Sequence, residues 1–394
     1  MTSLAKGLSC SRCDRTFDHR EPHNLCVCGS PLLVDYDLER LWGERFRLAL
    51  AGREPNMWRY RELLPVEHAG SVVSLGEGWT PVFQVPGLAA RLGVRELWVK
   101  DEGVNPTGTF KARGAACGIA RAAELGIGDV ALATAGNAGE AWACYGAPIA
   151  LRVHVAMPAD APEANRLQCR LYGAHVIDVD GLISDAGRVV EEMAAERGWF
   201  DASTLKEPYR IEGKKTLGFE LAEQFGWRLP DAVIYPAGGG VGLIGMWRAW
   251  AQLRAIGLLE GDWPRLIVTQ SEGCAPLVRA FELGLDEAPP WPDAETIAHG
   301  LRVPKARGDF LVLRAIRETK GTAVAVPDRL IVEAMGELGR RGVSASPEGA
   351  ATLAAAMRLR ERGDLGNEDR VVLINTGSAG NYDEAVAIVT PRRL

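Results

Sequence analysis

The sequence predicts an α/β protein of two or three domains, with a small cysteine-bearing segment at its N-terminus. Three observations carry this. From Val130 onward, short apolar runs alternate with stretches of helical period, the pattern of parallel strands joined by crossover helices. The chain has 394 residues, more than one ordinary domain holds. Four of its eight cysteines fall within residues 10–28. Apolar and charged fractions of 47% and 24% are those of a packed globular chain.

Some function classes are disfavoured at once. The net charge is -6 and there is no long basic run, so neither nucleic acid nor a membrane surface is an expected partner. No apolar stretch is long enough to span a bilayer. The first residues, Met-Thr-Ser-Leu-Ala-Lys-Gly-Leu, lack the apolar core of a signal peptide, and a cytoplasmic protein is expected.

In order along the chain, Cys10-x2-Cys13 and Cys26-x-Cys28 come first. Two close thiol pairs suit a tetrahedral zinc site, with His19 and His23 available to replace one cysteine. A closed four-ligand site has no open position, so its role is structural. The alternative is a ribbon that keeps its shape without metal, or two unrelated pairs. Cys117, Cys144, Cys169 and Cys274 are scattered and expected as buried thiols. Leu38–Leu50 reads as a short amphipathic helix. The expected strands are Glu96–Val99, Val130–Thr134, Arg152–Met157, His175–Val179, Ala232–Pro236, Leu266–Gln270, Thr322–Val326 and Val371–Asn375. Helical stretches fall at Ala115–Leu125, Glu163–Tyr172, Ser184–Arg197, Val241–Leu253, Ile331–Arg340 and Ala350–Arg362. The proline-rich stretch Glu287–Pro304 suits a loop that covers a site.

Four strand–helix junctions carry candidate chemistry. The first is Asn105-Pro106-Thr107-Gly108-Thr109-Phe110-Lys111, a turn signal that delivers Lys111 to the start of a helix. An isolated lysine there is ordinarily a solvated one. The second is Thr134-Ala135-Gly136-Asn137-Ala138, where a helix N-terminus offers N–H groups to an anion. The third is Gly238-Gly239-Gly240-Val241-Gly242, a glycine run that lets backbone approach a phosphate. The fourth is Asn375-Thr376-Gly377-Ser378, after the last strand. Gly240, Gly242 and Gly245 also match the dinucleotide pattern G-x-G-x-x-G. The acidic residue that would follow, Glu272, is too far along, and an NAD-type oxidoreductase leaves Lys111 and Asn137 unexplained.

Taken together, these motifs resemble the tryptophan-synthase-β-like, fold type II pyridoxal-phosphate (PLP) enzymes, and within them the threonine synthase family. Further strings extend the resemblance from about residue 8 to about residue 382. Among them are Asn165-Arg166, Asp180–Asp185, Glu207–Thr216, Glu272–Pro276, Gly300–Lys305 and Ser346–Ala350. The resemblance implies two three-layer α/β domains with the cofactor in the cleft between them. The zinc-ribbon-like segment is 1–37, the small domain 115–199, and the large PLP-binding domain 38–114 with 200–394. It implies Lys111 as the Schiff-base lysine, with Phe110 beside it and Asn137 at the cofactor's ring oxygen. Gly238, Gly239, Gly240, Val241 and Gly242 would hold its phosphate, and Thr376 would accompany the pyridine nitrogen. Thr134, Ala135, Gly136, Asn137 and Ala138 would face the substrate carboxylate. For a substrate phosphate, Lys214 and Arg302 are the chosen candidates, with Lys215, Arg166 and Lys305 behind them.

The implied reaction converts O-phospho-L-homoserine and water to L-threonine and phosphate, in a homodimer. Several residues depart from the family pattern. Val241 stands where threonine is frequent, and Glu140 and Trp142 where smaller residues are usual. The segment Tyr145–Leu151 is shortened, and Ser378–Tyr382 is altered. A carboxylate at 140 would repel a substrate phosphate if it faced the cleft. A dehydratase or β-replacement enzyme is therefore the alternative reading. A binding protein that has lost activity is disfavoured by the presence of Lys111, Asn137 and the glycine run.

Overall fold

The structure is a computed structural model that describes residues 3–389. The chain divides into two compact units. The first takes the chain up to Trp79, then Lys111–Phe219 and Arg248–Leu258; the second takes Thr80–Phe110, Glu220–Trp247 and the chain from Leu259 on. Among the described residues, no helix is long and apolar enough to cross a membrane.

The first unit holds two sheets. In the smaller, Ala5–Cys10 pairs antiparallel with Thr16–Phe17 on one side and Leu32–Tyr36 on the other. In the larger, four parallel strands run in the order His175–Val179, Arg152–Pro158, Asp129–Ala133, Phe200–Asp201. Alternation sorts their side chains. Val130, Leu132, Val153, Val155 and Met157 pack with Ala115, Ile119 and Trp142 from the helices Lys111–Glu124 and Asn137–Gly146. Ala131, Ala156 and Val179 face Ala186 and Val190 of the helix Ile183–Arg197. Burial on both faces is what a parallel sheet requires. Each fully buried aliphatic side chain contributes about 1.5–3 kcal/mol.

The second unit is built on one six-stranded sheet. Its order is Thr322–Val326, Arg265–Ser271, Ala232–Pro236, Arg370–Asn375, Glu96–Asp101, Val82–Gln84; all are parallel except the last, an antiparallel edge. The helix Pro347–Arg362 covers one face. Ser346 caps it by accepting the Gly349 N–H at 3.1 Å, Pro347 opens it, and Gly363 closes it with φ +80°.

The expected strands and helices lie where the periodicity puts them, with ends moved by at most four residues. One departs. Leu38–Leu50 is a short turn, Leu38–Arg40, and a separate helix, Gly43–Leu50. The break has a cause: Gly43 N–H donates to Ile256 O at 3.0 Å, and a Cβ on Gly43 would overlap that carbonyl. The helices Arg210–Gln224, Pro276–Glu282 and Asp309–Glu318 were not expected from the sequence pattern.

Candidate active site

In the second unit, three of the four junctions follow adjacent strands. Pro236 leads into the glycine run, Asn375 into Thr376, and Asp101 into the lysine loop; these strands neighbour one another in that order. All three junctions lie at carboxyl ends, where open parallel sheets bind ligands. Backbone bonds lace the last two together: Phe110 N donates to Thr376 O at 3.0 Å, and Ser378 N to Gly108 O at 2.8 Å. Asp101 accepts from Asn375 Nδ2 at 2.8 Å and from Gly103 N at 3.0 Å. Its pKa is nevertheless raised, because burial outweighs these bonds.

The glycine run is tightly held. Gly240 has φ +69°. A Cβ on Gly238 would overlap the Gly300 carbonyl, and one on Gly242 the Tyr235 hydroxyl. Gly300 N in turn donates to Glu348 Oε1 at 2.7 Å, so the loop Glu287–Pro304 does reach the glycine run at its end. Glu348 Oε2 and Asn375 Oδ1 are buried and have no hydrogen-bond partner. Burial, then the charge of Glu102, raises the pKa of Tyr235, so its hydroxyl keeps its proton.

In the first unit, Lys111 is half-buried and opens the helix Lys111–Glu124. The helix Arg210–Gln224 crosses it closely. A Cβ on Gly213 would overlap Arg113 O, and one on Gly114 would stand 2.8 Å from Arg210 Cγ and 3.1 Å from Lys214 Cε. The two glycines let the helices meet and bring Lys214, 3% exposed, alongside the first turn that Lys111 begins. Burial, then the charges of Lys111 and Arg210, push the Lys214 pKa well down. Glu207 accepts from the backbone N–H groups of Tyr209 and Arg210 and caps this helix.

The asparagine loop lies in the same unit. Thr134 Oγ1 accepts from Gly136 N at 3.0 Å, and Asn137 starts the helix Asn137–Gly146. The two unusual residues after it point into the protein. Trp142 is buried against Gly118, whose Cβ would stand 2.6 Å from its ring, and the Arg210 guanidinium lies 5.2 Å over it. Glu140 is buried and accepts from Asn165 Nδ2 at 2.8 Å. Burial raises its pKa against that bond.

Residues 73–377 match the model of the family described as pyridoxal-phosphate dependent enzyme. The chain belongs to this family. It is 36% identical over 370 residues to a threonine synthase of Methanocaldococcus jannaschii, covering 93% of this chain and 91% of that one. It is 33% identical to a threonine synthase of Methanosarcina acetivorans, covering 94% and 91%. Among solved structures, a serine racemase of maize superposes with a TM-score of 0.67 at 26% identity, over 76% of this chain and 88% of that one. Membership sets the NAD-type oxidoreductase reading aside. Glu272, which that reading needed, is paired with Arg358 at 2.7 Å.

The residues present fit the family's cofactor. The second unit supplies a glycine cradle with no room for side chains and two buried polar atoms without partners. The first supplies a half-buried lysine at a helix start. Among the cations weighed for a substrate phosphate, the partners of Arg166, Lys215 and Lys305 are clear. Arg166 binds the carbonyls of Pro158, Ala159 and Ala161 together with Asp178. Lys215 pairs with the buried Glu212, and Lys305 with Asp309 at 2.6 Å. Lys214 belongs to the first unit and Arg302, half-buried after the turn His299–Leu301, to the second. Asn165 and Glu348 carry contacts that the sequence motifs alone did not assign; both lie in strings that marked the family resemblance.

The thiols of Cys10, Cys13, Cys26 and Cys28 all lie within 4.8 Å of one another. Cys10 and Cys28 sulfurs are 3.4 Å apart and Cys13 and Cys26 sulfurs 3.6 Å. The histidines are not among them: His19 Nε2 stands 3.4 Å from Glu67, and the His23 ring packs on Phe17. Cys117, Cys169 and Cys274 are buried and Cys144 is half-buried.

Proposed function

We propose that this chain is a PLP-dependent threonine synthase, converting O-phospho-L-homoserine and water to L-threonine and phosphate. The carrying observation is its identity to the M. jannaschii threonine synthase along nearly the full length of both chains. Lys111 would hold the cofactor through its aldehyde carbon, with Phe110 beside it. The N–H groups of Gly238, Gly239, Gly240, Val241 and Gly242 would bind its phosphate, and Val241 brings no hydroxyl to it. Thr376 would accompany the ring nitrogen and Asn137 the ring oxygen. Bound there, the group supplies an aldehyde that captures amines and an aromatic ring that accepts electrons.

The remaining work falls to side chains. The substrate amine would take the place of Lys111, leaving its Nζ to take the Cα proton. A second proton leaves Cβ and phosphate leaves Cγ; a proton is then returned to Cγ, water adds its hydroxyl at Cβ while its proton goes to the departed phosphate, and the Cα proton is restored. Lys111 Nζ gives and takes these protons in turn. The backbone of Thr134, Ala135, Gly136, Asn137 and Ala138 holds the substrate carboxylate at a helix start. Lys214 and Arg302 bind the phosphate that leaves. Glu140 does not oppose this, because its carboxyl is buried against Asn165.

The test is phosphate release from O-phospho-L-homoserine, run beside serine, threonine and O-acetylserine. Phosphate and threonine in equal amounts are expected from the first. Keto acid from threonine or serine with no phosphate from phosphohomoserine would replace this reading with a dehydratase. Lys111→Ala is expected to abolish turnover and the visible band fixed by borohydride. We also propose a structural zinc ion on Cys10, Cys13, Cys26 and Cys28, whose thiols are close enough to share one ion. A cytoplasmic homodimer is the proposed setting, and sedimentation of the purified protein checks the dimer.

A further inference from the structure

Asn165 Nδ2 lies 2.8 Å from Glu140 Oε2 and 3.2 Å from Asn137 Oδ1. Both neighbours are oxygens, so the atom between them is the amide nitrogen, which has two hydrogens to give. The flipped amide would set oxygen against oxygen twice. Asn165 and Glu140 are both buried, so the bond between them lies in the interior, while Asn137 is half-buried. Gly136 makes the approach possible. It has φ +143°, and a Cβ there would stand 2.5 Å from Asn165 Oδ1. Asn165 comes from the helix Glu163–Leu171, while Asn137 and Glu140 sit one turn apart on the helix Asn137–Gly146. One amide thus ties the first turn of one helix to another.

The consequence is for Asn137. Its Oδ1 is committed to Asn165, so its own nitrogen is the end it presents on the other side. We infer that Asn165, anchored by Glu140, is a positioning residue that turns the Asn137 amide so that its N–H faces the cofactor's ring oxygen. This rests on the role proposed above for Asn137. An oxygen that carries negative charge needs a donor, and an amide free to rotate would offer its oxygen in some of its orientations. Glu140 therefore has a role unrelated to the substrate phosphate: it accepts the second hydrogen of Asn165 and stops that amide from turning.

The test uses the full chain with PLP. The readouts are the equilibrium affinity for PLP from its visible absorbance, the pH dependence of that band, and the melting temperature of the cofactor-free protein. Asn165→Ala is expected to weaken PLP binding about tenfold, the loss of one hydrogen bond to a charged oxygen. It should also move the pH dependence of the band in the direction that Asn137→Ala moves it. Glu140→Leu should do the same, and Glu140→Gln, which keeps an acceptor for Asn165, should do so less. If Asn165→Ala does not fold, Asn165→Asp keeps the shape and reverses the polarity, and it should shift the same band. Wild-type affinity and band in Asn165→Ala or Asn165→Asp, where Asn137→Ala alters both, overturn the inference. An Asn137→Ala protein with unchanged affinity and band overturns instead the role of Asn137, and the inference falls with it.

Discussion

Tyr36 donates its hydroxyl to Glu212 Oε2 at 2.7 Å, in the interior of the first unit. The same carboxylate pairs with Lys215, whose ammonium lies 4.0 Å over the Tyr36 ring. Burial, then the charge of Glu212, raises the Tyr36 pKa, so the phenol stays a donor. The strand Leu32–Tyr36 is thereby fastened to the helix that carries Lys214. Tyr36→Phe keeps the ring beneath Lys215 and removes only the hydroxyl. It should cost about 1.5–3 kcal/mol, the value of a hydrogen bond to a buried charge, read from the urea midpoint. A midpoint equal to that of the wild type would show that the ring alone fastens the strand.

The cysteine cluster makes a second prediction. Asn24, between the two thiol pairs, donates from Nδ2 to Asp201 O at 2.7 Å and Lys206 O at 3.0 Å. Arg121 and Tyr209 both donate to His19 O. The ribbon loop is therefore bonded to the segment that precedes the Lys214 helix. One zinc per chain is expected by elemental analysis, and Cys13→Ser should lower that content. Stripping the metal with a chelator should lower the melting temperature and leave the spectrum of bound PLP in place, since none of the four thiols belongs to the proposed PLP site. A metal-free protein that melts with the wild type would remove any structural role for the ion.

Much of this was legible in the residues. The strands of both larger sheets show as apolar runs because parallel strands are covered on both faces, and the turns between them are marked by glycine and proline. Lys111, Asn137 and the glycine run stand out in the sequence because each sits at a strand–helix junction. The helix Arg210–Gln224 was not found. Its residues from 210 to 222 are all buried, including Arg210, Glu212, Lys214, Lys215 and Glu220, so it has no polar face to give a period. For the same reason Lys215 and Arg166 looked like phosphate ligands: only the fold shows that Glu212 and three carbonyls already hold them. Glu140 looked misplaced because its partner, Asn165, lies on another helix.

Gly213 and Gly114 make a third prediction. The helices that bear Lys111 and Lys214 meet through them, and the two contacts differ in what must yield. At Gly213 a Cβ would overlap backbone, Arg113 O, which cannot rotate away. At Gly114 the nearest atoms are Arg210 Cγ at 2.8 Å and Lys214 Cε at 3.1 Å, both on flexible side chains. Overpacking of this kind costs about 1–3 kcal/mol. Gly213→Ala should fall at the upper end by chemical denaturation and Gly114→Ala at the lower end. Gly114→Ala, by displacing Lys214, should still reduce kcat/KM on phosphohomoserine. Equal stabilities for the two variants would mean that the helices separate without cost.

Lys214 makes the last. Its folded pKa lies well below the ordinary lysine value, first through burial, then through the charges of Lys111 and Arg210, with Glu207 opposing. In the unfolded chain it binds a proton up to about pH 10. Between the two values the unfolded state holds a proton that the folded state has lost, so stability rises with pH across that window. Below the folded value the full penalty applies. Lys214→Met keeps the length and removes the charge. The variant should be the more stable protein at pH 7, by about 1 kcal/mol or more, as buried charges replaced by apolar groups often are. The advantage should shrink as pH approaches 10. Denaturant titrations of both proteins from pH 6.5 to 9.5 measure this. Parallel curves for variant and wild type would mean that Lys214 keeps its ordinary proton affinity in the folded protein.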